Sequence, residues 1–486
     1  MRVRGNINLK EYQPIFSQRL DHSPNLAGLS EVFPNQFPYL LESTTRGALG
    51  SYSLLLFAGD EVLVLAADDG LSGPGTGDSF FTRLESWYQS ERTVCRETIE
   101  EGNTVIPFTG GWFVYLGYEM AAEVESTLDL PSNRSGMPDA IAHRCHGAII
   151  VFHDLQDPAR DRSVAVAESN AVLAQIVSCI DHRPVHARNA KVGELSNLDE
   201  EDPERYKAAV SRIHDYLLAG DVFQVNISRS LSGAFCTDFD PVALYHSLCH
   251  FNPAPFAGLL RWQDSVVLSS SPERLVQIRD GNIQTRPIAG TRPRGANISQ
   301  DRDLSDELIS NLKERAEHIM LIDLERNDLG RVCKSGTVEV NELMVVESYA
   351  HVHHIVSNVR GELLPNASPI DAIKAVFPGG TITGCPKVRC MEIIAELEGD
   401  GRGYYTGSMG YLGRDGSMDL NILIRSMLVQ GRHFVFRTGG GIVADSLPDD
   451  EVRETRDKAR GMLMAVESLG NSVNAGEGVK TCLNAW

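Results

Sequence analysis

Short apolar runs bounded by polar turns recur through the first third of the chain, at 53–57, 62–66 and 147–152, and predict β-strands. One stretch there, Phe80–Glu91, has helical spacing instead. A polar, turn-rich segment at 183–206 follows and leads into a strongly periodic helix at 203–218, closed by Gly220. Further strands are expected at 222–228, 265–269, Arg274–Arg279 and Asn282–Thr285. Asp280-Gly281 between the last two is a tight-hairpin signal. A long helix is predicted over 303–329, another after Pro386, and a last one after Ser446 and Pro448, read as a capping serine with proline in the first turn.

Strands joined mostly by hairpins favour antiparallel sheets with helices outside, an α+β architecture. The polar junction divides the chain into an amino-terminal domain, 1–190, and a second domain, 200–470, with a loose tail at 471–486. The 486 residues suit two or three packing units, and 42% hydrophobic residues supply a large core.

Charge narrows the partners. Forty-five basic against 65 acidic side chains leave a net −20, which repels phosphate backbones and anionic lipid. Neither nucleic acid nor membrane is expected as a partner. Nine scattered cysteines without CxxC pairs read as the usage of a reducing compartment, and no stretch is apolar enough for a spanning helix. A cytoplasmic location is expected.

The candidate chemistry lies in the second half. Glu314 and Glu317 share one helix face, and Glu451, Glu454 and Lys458 share another. Carboxylate pairs without a cysteine or histidine cluster suit a hard cation that keeps waters, namely Mg2+. The turn 377–387 opens a helix and could receive an anion, and Thr438-Gly-Gly-Gly-Ile442 exposes bare backbone. Arg425 could pair bidentately with a carboxylate. His353 and His354 are successive residues of a β-run, so only one can look into a site. No nucleophile elbow, HExxH or glutaminase motif appears, so any ammonia must come from another chain.

Together these residues resemble the chorismate-utilising enzymes, the family of component I of anthranilate synthase and of aminodeoxychorismate synthase. The segments GDVFQVNIS, SPERL, TRPIAGTRPRG, ERAEHIMLIDLERNDLGRV, VHHIVS, FPGGTITGCPKVRCMEII and GGGIVADS carry the resemblance across 202–467. PYLLEST and GGWFVYLGYE extend it more weakly into 14–155. The resemblance implies two facing antiparallel sheets with helices outside, the anthranilate-synthase component I-like fold. It implies chorismate and ammonia as substrates, Mg2+ as cofactor and a glutamine amidotransferase subunit as partner. Glu317 and Glu454 would bind the metal, supported by Glu314 and Glu451. Arg425, Tyr405 and the backbone of Gly439, Gly440 and Gly441 would hold the enolpyruvyl carboxylate, with Lys458 nearby. Thr381 and His354 would line the ring, beside Ala289, Gly290 and Thr291. Glu273 matches the general acid that protonates the departing C4 hydroxyl.

Relatives that add water carry a lysine where this chain has Gln224, and glutamine cannot deprotonate water. Two ammonia reactions remain. VHHIVS, FPGGTITGCPK, NPAPF and QVN favour amination at C4, giving 4-amino-4-deoxychorismate for para-aminobenzoate and folate synthesis. Ala289, in PIAGT, is the form that accompanies amination at C2 to anthranilate, the alternative. Cys385 departs from the family's usual alanine and is read as a packing substitution. In the amino-terminal domain, Leu41, Glu42 and Ser43 match the edge of the family's tryptophan pocket, with Asn252, Pro253 and Phe256 as its other wall. A proline-turned core loop explains the same residues.

Overall fold

Strand residues one apart divide between different layers, and that alternation builds the architecture. The computed structural model describes residues 14–47, 49–66, 70–93, 105–181, 195–295, 297–348 and 352–471. In the strand Tyr52–Ala66, Leu54 and Leu56 enter a middle core while Leu55 and Phe57 enter an outer one. In Gly111–Leu116, Phe113 and Tyr115 face that same middle core, and Trp112, Val114 and Leu116 pack under a third cluster. The middle core therefore lies between two sheet faces. Helices cover both outer faces: Pro241–Phe251 and Pro448–Asn471 on one side, Pro203–Ala219, Pro369–Val376 and Lys387–Glu398 on the other. The expected α+β arrangement of antiparallel sheets with helices outside is what forms.

All strand pairings among the described residues are antiparallel, and they cross the junction between the two halves. Tyr39–Glu42 pairs with Phe256–Trp262, and Gly111–Leu116 pairs with Ser408–Gly413. The junction itself contributes the strand Leu195–Glu200, which joins Gln224–Phe235. Residues 182–194 and the tail beyond 471 lie outside the described residues. No helix among the described residues is long and apolar enough to cross a membrane.

Several local expectations are met with their physical cause visible. Gly220 closes Pro203–Ala219 at φ 80, and Asp280 and Gly281 take φ 54 and 76 in the hairpin that sets Arg279 opposite Asn282. Three differ. The runs 53–57 and 62–66 belong to one 15-residue strand, because an irregularity near Ala58 absorbs the polar interruption. The helix expected over 303–329 is two, Ile298–Ser310 and Leu312–Gly330. Asn311 leaves the helical region at ψ 112 and accepts from the Glu314 amide, 3.2 Å away, so it starts the second helix. Ser446 does not cap the last helix. Its hydroxyl accepts from the Val443 amide at 3.1 Å, and Pro448 opens the helix one residue after Leu447.

Candidate active site

The site forms where the strand Gln224–Phe235 meets His433–Ile442. Their register sets Gly441 against Asn226 and Gly439 against Ser228. The three glycines are there for room. A Cβ at Gly441 would stand 1.9 Å from Gln224 Nε2, and one at Gly439 would stand 2.3 Å from the Ile227 carbonyl and 3.0 Å from the Tyr405 hydroxyl. At Gly440 the neighbours are Glu451 Oε2 at 3.2 Å and Glu454 Oε1 at 3.7 Å. One glycine strand thus touches the amide, the tyrosine and one carboxylate pair.

The other carboxylate pair reaches the same place through Gln224. This side chain is buried, and its Nε2 donates to Glu317 Oε1 at 2.6 Å. Its Oε1 finds no partner among the described residues. Glu314 ion-pairs with Arg292 at 3.2 Å and lies against Gly290, where a Cβ would approach it to 2.8 Å. Gly290 has φ 67 and forms a bulge between Ala289, opposite Ile355, and Thr291, opposite His354. Lys458 spans Glu454 Oε1 at 2.7 Å and the Gly439 carbonyl at 3.0 Å. Among the described residues, no three histidine, cysteine, aspartate or glutamate side chains gather as a ready-made metal cage. The four glutamates stand as two pairs, Glu314 and Glu317 by Gly290 and Gln224, Glu451 and Glu454 by Gly440.

Arg425 is the positive centre. It lies in electrostatic reach of Tyr405, Glu454 and His354, yet no described side chain hydrogen-bonds or ion-pairs with its guanidinium. Burial draws its pKa down, partly offset by Tyr405 and Glu454. Its backbone sits at φ 51 in the left-handed region, a strained conformation for a residue with a Cβ. Burial, with the Arg425 charge adding, pushes His354 down to about 4, so its imidazole is neutral near pH 7. His353 faces away, as strand alternation requires, and bonds Asp301 at 2.9 Å and Ser348 at 2.7 Å. Tyr405 is buried and pushed up to about 12 by burial.

Glu273 leaves the strand Ser265–Ser271 into the core and is 5% exposed. Burial raises its carboxyl to about 8. The Thr381 hydroxyl beside it offsets part of the rise without completing a hydrogen bond, and Glu325 adds to it. Thr381 itself is held by Asn226 Nδ2, which donates to its carbonyl at 3.1 Å. Cys385 pairs through its backbone with Gln224, and burial raises its thiol pKa, which disfavours the nucleophilic thiolate.

The structure also places residues that the sequence reading passed over. Arg402, fully enclosed, bonds Glu398, the Ile382 and Asn226 carbonyls, and stands 5.7 Å over the Tyr405 ring. Arg437 joins Glu398 at 2.9 Å and Ser228 at 3.0 Å. Buried Glu398 and Arg402, with half-buried Arg437, lie against Tyr405. Their sequence signal was the i,i+4 spacing of Glu398 and Arg402 immediately before Tyr405.

The tryptophan-pocket residues only partly converge. Leu41, Glu42 and Phe256 line a cavity of about 50 Å3 with Tyr52, Tyr411 and Asn421. Ser43 and Asn252 are tied elsewhere: the Ser43 hydroxyl to the Thr45 carbonyl at 2.8 Å, and Asn252 to the Ser270 carbonyl at 3.0 Å. Pro253 is not in the cavity wall either.

Comparison with known proteins gives one family. Residues 72–464 match the chorismate binding enzyme family. An anthranilate synthase component I-like protein of Synechocystis is 43% identical over 371 residues, 75% of this chain and 74% of that protein. Aminodeoxychorismate synthase component 1 of Bacillus subtilis is 36% identical over 476 residues, 93% of this chain and 98% of that protein. The crystal structure of anthranilate synthase component I from Streptococcus pneumoniae superposes with a TM-score of 0.73 at 29% identity, covering 85% of this chain and 92% of that one.

Proposed function

Since the chain belongs to the chorismate-binding enzyme family and is a chorismate-utilising enzyme of the anthranilate and aminodeoxychorismate synthase type, we propose that it aminates chorismate at C4. The product is 4-amino-4-deoxychorismate, and the ammonia comes from glutamine through a partner amidotransferase. Arg425 carries this reading: a largely enclosed guanidinium without a side-chain partner among the described residues asks for a carboxylate from outside the chain.

In this reading Arg425, Tyr405 and the amides of the glycine strand hold the enolpyruvyl carboxylate. Neutral His354 and Thr381 line the ring, with Ala289, Gly290 and Thr291 along its edge. Glu273 keeps its proton to about pH 8 and gives it to the departing C4 hydroxyl as the C–O bond breaks. Lys458 stays with Glu454 and the Gly439 carbonyl and orients the carboxylate side of the site. The oxygen-only donors Glu317 and Glu454, backed by Glu314 and Glu451, fit Mg2+, which takes one or two carboxylates and otherwise keeps water or substrate oxygens. When bound, Mg2+ supplies a positive anchor for the ring carboxylate and draws electron density from the ring. With Arg425 and Lys458 it would reverse the local sign for a dianion in a protein of net charge −20.

Gln224 has no base to offer water, and its amide is taken by Glu317, which disfavours hydration of the ring. The choice of C4 rests on VHHIVS and FPGGTITGCPK. Amination at C2 to anthranilate is the second reading, and buried Ala289 favours it, because no side-chain nucleophile stands there. On the C4 reading ammonia fills that role: the first adds at C2 as the protonated C4 hydroxyl leaves as water, and the second adds at C4 as the C2 amine leaves as ammonia.

One assay decides. The protein with chorismate, Mg2+ and ammonium should form no fluorescent anthranilate, and should yield para-aminobenzoate once a lyase is added. EDTA should abolish turnover and Mg2+ restore it. Anthranilate as the main product would overturn the C4 reading.

A further inference from the structure

The helix Leu312–Gly330 buries a stripe at His318, Leu321, Ile322, Glu325, Asp328 and Leu329, the spacing of one helical face. Two of these six are carboxylates in an otherwise inward stripe. Asp328 is accounted for: Lys387 pairs with it and also donates to the Val376 carbonyl at 3.1 Å, and Arg331 reaches it at 3.1 Å. Glu325 is not. It is 7% exposed, and no described cation forms an ion pair with it.

Glu325 and Glu273 are set across the same two segments. Glu325 lies at the backbone of Gly380, where a Cβ would stand 3.5 Å from its Oε1, while Glu273 lies at the hydroxyl of the next residue, Thr381. On the other side Glu325 neighbours Thr285, and Glu273 the backbone of Ile288, three residues on. Two buried carboxyls thus share one set of neighbours, and no ion pair to Glu273 occurs among the described residues either.

We propose that Glu325 is a positioning residue for the acid step: its buried carboxyl keeps the proton on Glu273 when the substrate is bound. Two like charges in a low-dielectric pocket cannot both form without penalty, so the pair gives up its protons in two separate steps. The groups facing Glu325 are Asp328, Lys387, Thr285 and the Gly380 amide, with Arg331 behind Asp328. Those facing Glu273 are Thr381, Glu325 and the Ile288 backbone. Burial lifts Glu325 to about 7 and Glu273 to about 8. The Lys387 ammonium favours the charged form of Glu325, whereas no cation faces Glu273, and the Glu325 charge then delays the loss of the proton that catalysis uses. This inference rests on the assignment of Glu273 as the acid.

The test is the pH profile of kcat for the Mg2+-loaded protein, at saturating chorismate and constant unprotonated ammonia. Glu325→Gln removes the neighbouring charge, and the alkaline limb should move to lower pH by about one unit. Glu325→Asp retains the charge and should keep the limb where the wild type has it. A Glu325→Gln limb that coincides with the wild type, even at reduced kcat, overturns the proposal. Infrared titration of protonated carboxyls in the resting wild-type protein decides the matter without turnover, including where Glu325→Gln fails to fold. Two linked steps, reduced to one with a changed midpoint in Glu273→Gln, support it; independent titration overturns it. Absence of turnover at every pH would instead count against the proposed function and leave the infrared result to judge this inference.

Discussion

Two enclosed polar regions of this molecule treat their charges in opposite ways. Around the small cavity at Leu41 and Phe256, the polar groups satisfy one another. Tyr245 donates to Glu42 at 2.7 Å, Tyr52 and Tyr411 meet at 3.1 Å, and Asp419 takes a two-point contact from Arg274 at 2.8 and 2.9 Å. Around the glycine strand, the Arg425 guanidinium, Gln224 Oε1 and the Thr381 hydroxyl have no partner among the described residues. Unsatisfied buried polar groups cost free energy, so a fold keeps them where something outside the chain completes them. The first region reads as architecture and the second as a binding site. Glu42 illustrates the difference: it is half-buried and desolvation raises its pKa, yet the Tyr245 hydrogen bond partly compensates it.

The contrast can be broken most sharply at Glu273. Glu273→Gln keeps size and polarity but cannot donate the proton, and kcat should fall by about 10²–10⁴-fold with the unfolding curve little changed. In the wild type the acid works protonated. Because its pKa is raised, activity should hold below about 8 and be lost as pH rises through that value, at constant unprotonated ammonia. Next comes Arg425→Ala, which should lower kcat/KM for chorismate by about 10–100-fold; Arg425→Lys should recover only part, lacking the planar fork. The smallest effect is expected in the satisfied region. Tyr245→Phe should lower the unfolding free energy by about 1–2 kcal/mol in urea titration and leave kcat near the wild-type value. A large loss of kcat there, with stability intact, would erase the distinction between the two regions.

Much of the fold was legible because its cues are local. Gly220, Asp280-Gly281 and the periodicity of 203–218 each act within a few residues, and each element formed where expected. The helix break at Asn311 was missed because an asparagine inside a charged periodic stretch reads equally as exposed helix surface. The pairing of Gly111–Leu116 with Ser408–Gly413 joins residues some three hundred positions apart, and nothing local announces it. In the site, the carboxylates of the two helices were visible in the sequence, but their separation into two pairs, one by Gln224 and one by Gly440, was not. Glu325 lay on a readable inward stripe, and its charge alone disguised it as surface.

The sequence by itself determined the elements, the placement of glycine where a strand must admit neighbours closely, and the family through its ordered segments. Only the tertiary structure decided which charges find partners. Asp328 meets Lys387 across a helix boundary in an ion pair, Glu325 one turn earlier acts on Glu273 without forming one, and Arg425 is left facing the site. The reason is that ionisation and hydrogen bonding depend on surroundings assembled from distant parts of the chain, whereas turn and helix propensities depend on neighbours along it.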